Sequence, residues 1–362
     1  MLNPYLGPAV VAHNILQGFL KIQSKLEKQN IKITFISTAS NGSKKIIKLS
    51  EMVKVINTKR FPPITLTGEI QAWLMSRELE SPDIVHSHDL YEVFPWIKQQ
   101  VPTVLTLHGI FWKERLYFRN PYMKLSYWLA EKRLKLYFEK LAGFIAISPY
   151  VIKELISKGF NTYKVHLIEN PISEEFFKLN KNDNSIILYP AKISPRKNQL
   201  TFLKAINLIK REIQDFKIYF TGSGDVKYYK ILNNFIQIND IKNVVFLGKV
   251  PYSKMLELYS MACVVVLVSY QETQPMAILE SMASGTPVLA SNIIQNRYII
   301  TSGKNGILVD PNNPVDIAEH LKMLIEDNKL RKKLGKNARR EAEKRWKAKI
   351  IAENLLKLYI NL

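Results

Sequence analysis

The sequence predicts an α/β protein made of two similar halves, and three observations carry that prediction. Short, β-branched apolar runs recur along the whole chain. Helical stretches such as 199–212, 253–260 and 314–326 separate many of them. The 362 residues exceed one ordinary domain and suit two. Most of the runs are apolar on both faces, as expected of parallel strands covered by helices.

In the first half the strand-like runs are KITFIST (32–38), DIVHSH (83–88), TVLTLHG (103–109), GFIAIS (143–148) and KVHLIEN (164–170). In the second they are SIILYPAKI (185–193), KIYFTGSG (217–224), NVVFLGKV (243–250), CVVVLVS (263–269), PVLAS (287–291) and GILVDP (306–311). The segment after Glu169 ends in a polar, turn-rich run and reads as a linker. The expected division is a first domain over 1–170, a linker over 171–184, a second domain over 185–345 and a terminal helix over 346–362. Leu355, Leu356 and Tyr359 give that helix an apolar stripe with which to dock on the first domain. The chain enters Pro4 and Gly7 without room for the opening strand that such a sheet expects.

Composition narrows the class. The net charge of +21 is spread over both halves and favours a negatively charged partner: phosphorylated substrate, anionic lipid or nucleic acid. The single cysteine, Cys263, lies in an apolar run and reads as a small buried hydrophobe, so a disulfide framework is excluded. No apolar run approaches the roughly 20 residues that cross a bilayer. The N-terminus lacks a signal-peptide pattern. The expected location is cytoplasmic, or peripheral on the cytoplasmic face of a membrane.

The segment QETQPMAILESMASGTPVLAS, 271–291, holds two glutamates eight positions apart. It reads as a strand end, a loop carrying Glu272, a helix with Pro275 in its first turn and Glu280 about five residues in, a stop at Gly285, and another strand. Ligands of parallel α/β sheets bind at the carboxyl ends of strands, and helix N-termini attract phosphate. A carboxylate beside phosphate needs another use, and sugar hydroxyls supply one, since an ionised carboxylate can accept two of them. Spacing alone also fits two unrelated surface glutamates.

The stretch resembles the E-x7-E segment of the family-four retaining glycosyltransferases of GT-B architecture. SGKNGILVDPNNP (302–314), SIILYPAKISPRKNQLTFLKAI (185–206), FTGSGD (220–225), FLGKV (246–250) and LHG (107–109) match further segments of that family. The resemblance is specific from about Ser185 onward and looser before it. It implies two Rossmann-like, doubly wound domains facing a cleft. It also implies transfer of a hexose from a UDP- or GDP-linked sugar to a saccharide or lipid-linked acceptor in glycan or cell-envelope polysaccharide synthesis. The nucleotide-sugar is then a substrate, and no cofactor is expected.

The resemblance also implies roles. Glu272 would contact hydroxyls of the transferred sugar and Glu280 the ribose. Backbone N–H groups around Gln274, Pro275 and Met276 would face the donor, with Pro275 unable to contribute one. Lys192 and Lys197 would neutralise the diphosphate. The family has arginine then lysine at these two places, so the bidentate guanidinium is lost unless Arg196, off the pattern, supplies it. Asn198 would cap the following helix. His108 would lie near the donor sugar, with Gly109 allowing close approach. The backbone near Val250 would read the base. Gly7 would offer an N–H to the β-phosphate, although Pro8 removes the second donor of the family's glycine pair. His13 is one position off the family's histidine and reads as structural. His86 and His88 are expected to alternate, so that at most one faces the site. No Asp-x-Asp occurs, and metal independence is the expectation.

The stretch 111–140 interleaves aromatics with Lys and Arg. This mixture suits an anionic membrane surface or nucleic acid, or an aromatic core face with a solvated basic face. A membrane-proximal acceptor is the favoured expectation and nucleic acid the less favoured one. Two alternatives stay open: a phosphorolytic or hydrolytic sugar enzyme on the same fold, and an inactive nucleotide- or RNA-binding partner.

Overall fold

The computed structural model describes residues 7–39, 45–59, 73, 74, 76, 77, 81–118, 120–182 and 184–362. Residues 1–6, where the sequence leaves no room for an opening strand, lie outside these residues. The chain divides into two compact units, Met1–Pro171 with Ala348–Leu362 and Ile172–Lys347.

Among the described residues the first unit contains two sheets. Strands β1 (Ile33–Ala39), β2 (Lys45–Lys48) and β3 (Val53–Lys59) pair in the order β1-β3-β2, with β1 and β3 parallel and β2 antiparallel to β3. Neither β2 nor β3 stands out in the sequence, because lysines break their apolar pattern. Strands β4 (Val85–Ser87), β5 (Thr103–Leu107), β6 (Gly143–Ala146) and β7 (Val165–Leu167) form a parallel sheet in chain order. Every residue of β5 and β6 is buried, which is why both read as continuous apolar runs rather than as alternating ones.

The last helix, Ala348–Ile360, belongs to this first unit and lies against the helix Gly7–Lys21. The approach is close because position 18 is glycine. A Cβ there would lie 2.2 Å from the Ala348 carbonyl oxygen and 2.9 Å from the Ala352 Cβ. Gly18→Ala should therefore force the two helices apart and lower stability by about 2 kcal/mol. The shift in the urea unfolding midpoint, at unchanged slope, measures it.

The second unit carries six parallel strands: β8 (Asn184–Pro190), β9 (Lys217–Thr221), β10 (Val244–Gly248), β11 (Ala262–Leu267), β12 (Val288–Ser291) and β13 (Ile307–Val309). Their order is β10-β9-β8-β11-β12-β13. The winding starts at β8, runs outward to β10, then resumes on the other side of β8 at β11. This is the doubly wound pattern, with its switch point between β8 and β11. β11 is buried at every position, and the Cys263 thiol donates to the Ile186 carbonyl at 3.1 Å inside this core.

The run expected as a linker is structured where it is described. Ser173 caps a short helix, Glu174–Phe177, through the Glu175 N–H. Ile172, Phe176 and Phe177 join the core of the second unit. Ile172 also bridges to Lys347, and its N–H donates to the Trp346 carbonyl at 2.7 Å. Their apolar side chains explain the difference, since burying each contributes about 2 kcal/mol. The helix Asn328–Arg345 and the buried Trp346 also pack into the second unit.

Candidate active site

The site is built around the switch point of the second unit. The residues after β8 and after β11 leave neighbouring strands at their carboxyl ends, where a doubly wound sheet leaves a crevice. After β8 the chain makes one turn of 3-10 helix, Pro195–Lys197, and passes through Asn198 with φ of 57° before the helix Gln199–Leu208. Asn198 stands at the N-cap position, but its side chain caps nothing. Its Nδ2 donates instead to the carbonyls of Val268 (2.9 Å) and Pro311 (2.7 Å). It thus ties the turn after β8 to the end of β11, and its left-handed backbone, which asparagine tolerates, aims it there.

Tyr189 makes a second tie. Its buried hydroxyl donates to the Lys197 carbonyl and accepts from the Val268 N–H at 3.2 Å. Burial pushes this phenol well up, so it stays protonated and able to donate. Both anchors fix Lys197 from behind and leave its ammonium to meet Glu272.

Glu272 is 4% exposed. Burial alone would raise its carboxyl, but Lys197 and then Arg196 outweigh that and hold it below the ordinary glutamate range. Lys197 Nζ bonds to its Oε1 at short range, and Arg196 lies 3.7 Å from Oε2. Arg196 also donates to the Gln271 carbonyl at 2.7 Å, while its own carbonyl accepts from the Tyr270 N–H. Two cations and one carboxylate therefore sit together with a net positive charge. Lys192 is exposed and forms no bond to Glu272; its carbonyl accepts from Gln199 Nε2 at 3.0 Å. The guanidinium beside the acid is thus Arg196, not the residue at the family's position.

The helix after the loop runs Met276–Ser284, with Pro275 at its N-cap position rather than inside its first turn. Gln274 and Pro275 are buried and Met276 half-buried. Gly285 closes the helix with φ of 74°, as a left-handed stop requires. Glu280 is partly exposed and meets Tyr259, whose hydroxyl donates to Oε2 at 2.9 Å. Burial pushes the Glu280 carboxyl up to about 7, and the Tyr259 bond offsets only part of that. The two glutamates are therefore unlike: one is held charged by cations, while the other titrates near neutrality. Val250 is half-buried just past β10 and packs on the core.

The other sequence candidates lie in the first unit. Gly7 is the first residue of its helix, and His13 is half-buried on the same helix. His108 follows β5, and its Nε2 meets His88 Nδ1 at 2.8 Å. His86 bonds to Tyr359 at 2.5 Å through Nδ1 and to Thr106 at 2.7 Å through Nε2. The expected alternation of His86 and His88 is wrong. Residues two apart share one face of a strand, and the two rings lie 4.6 Å apart. Burial lowers all three histidines, His88 to about 4, so at neutral pH they are uncharged and each carries one N–H. One of His88 and His108 must donate to the other, which couples their tautomers. Among the described residues no group of three or more His, Cys, Asp or Glu could hold a metal ion.

Tyr189, Asn198 and Tyr259 were not legible as site residues. Each acts through a partner distant in sequence, and only Asn198 carried any local signal, as a helix cap.

Comparison with known proteins fits this geometry. Residues 171–341 match the model of the glycosyl transferases group 1, and residues 20–176 match that of Glycosyltransferase Family 4. An uncharacterized glycosyltransferase of Methanocaldococcus jannaschii is 26% identical over 350 residues, covering 94% of this chain and 91% of that protein. A capsular polysaccharide biosynthesis glycosyltransferase of Staphylococcus aureus, CapM, is 26% identical over 203 residues, with 56% and 53% covered. Among solved structures, HepE from Anabaena in complex with UDP and glucose superposes with a TM-score of 0.74 at 17% identity, covering 100% of this chain and 98% of that one. With both halves of the sequence matched in this way and the doubly wound second unit carrying its charged cluster at the switch point, the chain belongs to the family-four, group 1 glycosyltransferases of GT-B architecture.

Proposed function

We propose that the protein transfers a hexose, with retention of configuration and without a metal ion, from a UDP- or GDP-linked sugar to a saccharide or lipid-linked acceptor of the cell envelope. The observation that carries this reading is the buried Glu272 held by Lys197 and Arg196 between the ends of β8 and β11. A buried carboxylate kept ionised is suited to accept sugar hydroxyls. Cations beside it are suited to a leaving diphosphate, whose charge grows in the transition state.

In this reading Lys197 exchanges part of its bond to Glu272 for the diphosphate, with Lys192 and the N–H groups around Gln274 to Met276 adding to its hold. Pro275 gives none. Glu280, steadied by Tyr259, accepts the ribose hydroxyls. The backbone at Val250 faces the base. The resemblance further assigns donor roles to Gly7 and His108. The bond from the anomeric carbon to the diphosphate oxygen breaks as the acceptor oxygen bonds to that carbon on the same face. The acceptor proton passes to the departing phosphate oxygen. Glu272 positions the sugar and is neither nucleophile nor base.

The test pairs binding with product analysis. A UDP- or GDP-sugar at about a hundred times its Kd should raise the melting temperature by on the order of 5 °C. The product formed from an α-linked donor should be the α-glycoside, and a chelator should leave the rate unchanged. A β-product refutes retention. Release of free sugar or sugar phosphate in place of a glycoside assigns the protein to the hydrolytic or phosphorolytic alternative. No response to any nucleotide-sugar refutes the reading.

A further inference from the structure

The helix Pro121–Phe138 in the first unit is apolar on two sides. One side is core: Ala130, Leu134, Tyr137 and Phe138 pack against β5 and β6 neighbours such as Leu105 and Phe144. The outward side should be polar, yet Tyr122, Leu125, Leu129 and Leu136 are exposed along it. Their spacing of 3, 7 and 14 residues from Tyr122 places them on one stripe. Trp128 lies at its edge, and Leu116, 72% exposed, extends the patch from the preceding segment.

Cations flank the stripe. Lys124, Lys132 and Lys135 are exposed, and Lys132 lies 5.5 Å from the Trp128 ring. The one acid of this helix, Glu131, is buried and neutralised: it bonds Lys158 at 3.0 Å and lies 3.8 Å from Arg115, itself a residue of the groove. Arg115 and Lys124, with Leu116, Leu125 and Trp128, line an open groove of about 420 Å3.

We propose that this face is a docking surface for an anionic lipid bilayer, with leucines and Trp128 entering the headgroup boundary and the groove taking a lipid phosphate between Arg115 and Lys124. Charge complementarity selects the occupant. Aliphatic side chains inserted between lysines that reach outward match a membrane interface. Nucleic acid would use stacking rings and cations, and exposed leucines give it nothing to pair with. The inference goes beyond the transferase reading and does not depend on it.

The test is co-sedimentation of the full chain with vesicles. Binding to vesicles of phosphatidylglycerol in phosphatidylcholine should exceed binding to phosphatidylcholine alone by at least tenfold at low salt, and fall at about 0.5 M salt. Leu125→Glu with Leu129→Glu should lower it at least tenfold. Lys124→Glu with Lys132→Glu should erase the anionic preference, at roughly fivefold per lysine removed. Ile238→Glu, at a position 84% exposed in the second unit, should bind as the parent does. All these positions are on the surface, and unchanged melting temperatures show the variants folded. Equal binding to both vesicle types, equal loss in the Ile238 control, or no loss in the leucine variant overturns the proposal. A dimer abolished by the leucine variant, with no vesicle binding, assigns the face to a second copy. Binding to single-stranded RNA that the leucine variant leaves intact, again with no vesicle binding, assigns it to nucleic acid.

Discussion

Glu272→Ala should lower the rate of sugar transfer by about a thousandfold while changing nucleotide affinity by less than about threefold. The size is that of removing one preorganised polar contact at a reacting centre. The separation follows from the second unit, where Glu272 bonds Lys197 and lies near Arg196, whereas Glu280 bonds Tyr259. Loss of the first carboxylate leaves the second untouched. In the proposed mechanism Lys197, no longer bonded to Glu272, still meets the diphosphate, so the affinity for free UDP or GDP should hold or rise. Glu272→Gln separates charge from shape: it keeps the side-chain volume but cannot hold two cations, and should be nearly as inactive. Steady-state kinetics with calorimetric nucleotide binding measures both effects. Parent-like turnover in either variant removes Glu272 from the mechanism.

If Glu280 accepts the ribose hydroxyls as proposed, nucleotide affinity should weaken about tenfold between pH 8 and pH 6, because only the ionised carboxylate accepts two hydroxyls. With the carboxyl at about 7, the ionised share is about nine-tenths at pH 8 and one-tenth at pH 6. Glu280→Gln should flatten the profile at a weak affinity. The same shift bears on stability, with a definite sign. The folded-state value lies above the unfolded 4.5, so the folded protein holds the extra proton in between. Its contribution is fully present below pH 4.5 and is lost as the pH rises through 7, a cost on the order of 3 kcal/mol. Glu280→Gln carries no such cost. It should melt at a higher temperature than the parent at pH 8 and lose that advantage at pH 5. A parent protein whose affinity is flat from pH 6 to pH 8 would contradict the assignment.

Much of the second unit was readable in the sequence. Its strands are apolar on both faces, and each of the six coincides with a run visible in the composition. Glu272, Glu280 and Lys197 could be named because the segments that carry them resemble those of the family; spacing alone also fitted two unrelated surface glutamates. What surrounds them could not. Tyr259 reaches Glu280 across 21 positions and Asn198 reaches Pro311 across 113; a contact of that span leaves no local period. Arg196, off the family's pattern, could be offered only as a substitute for the missing guanidinium, and it is the cation that joins Lys197 beside Glu272. In the first unit, β2 and β3 were lost because strands such as KIIK and VKVINTK mix lysine with isoleucine and valine. The two histidines of HSHD were separated by a mistaken alternation. A strand end keeps every second residue on the same side, and the sequence already contained the pair.

The return of Ala348–Ile360 to the first unit sets an order of events during synthesis. A ribosome must make all of Ile172–Lys347 before the helix that covers Gly18 and carries the hydroxyl bonded to His86 emerges. At a few to twenty residues per second that interval is on the order of ten seconds. Through it the helix Gly7–Lys21 lacks the partner that packs against it in the finished chain. A stop codon after Lys347 would remove that partner altogether and leave the second unit's own residues, Ile172–Lys347, intact.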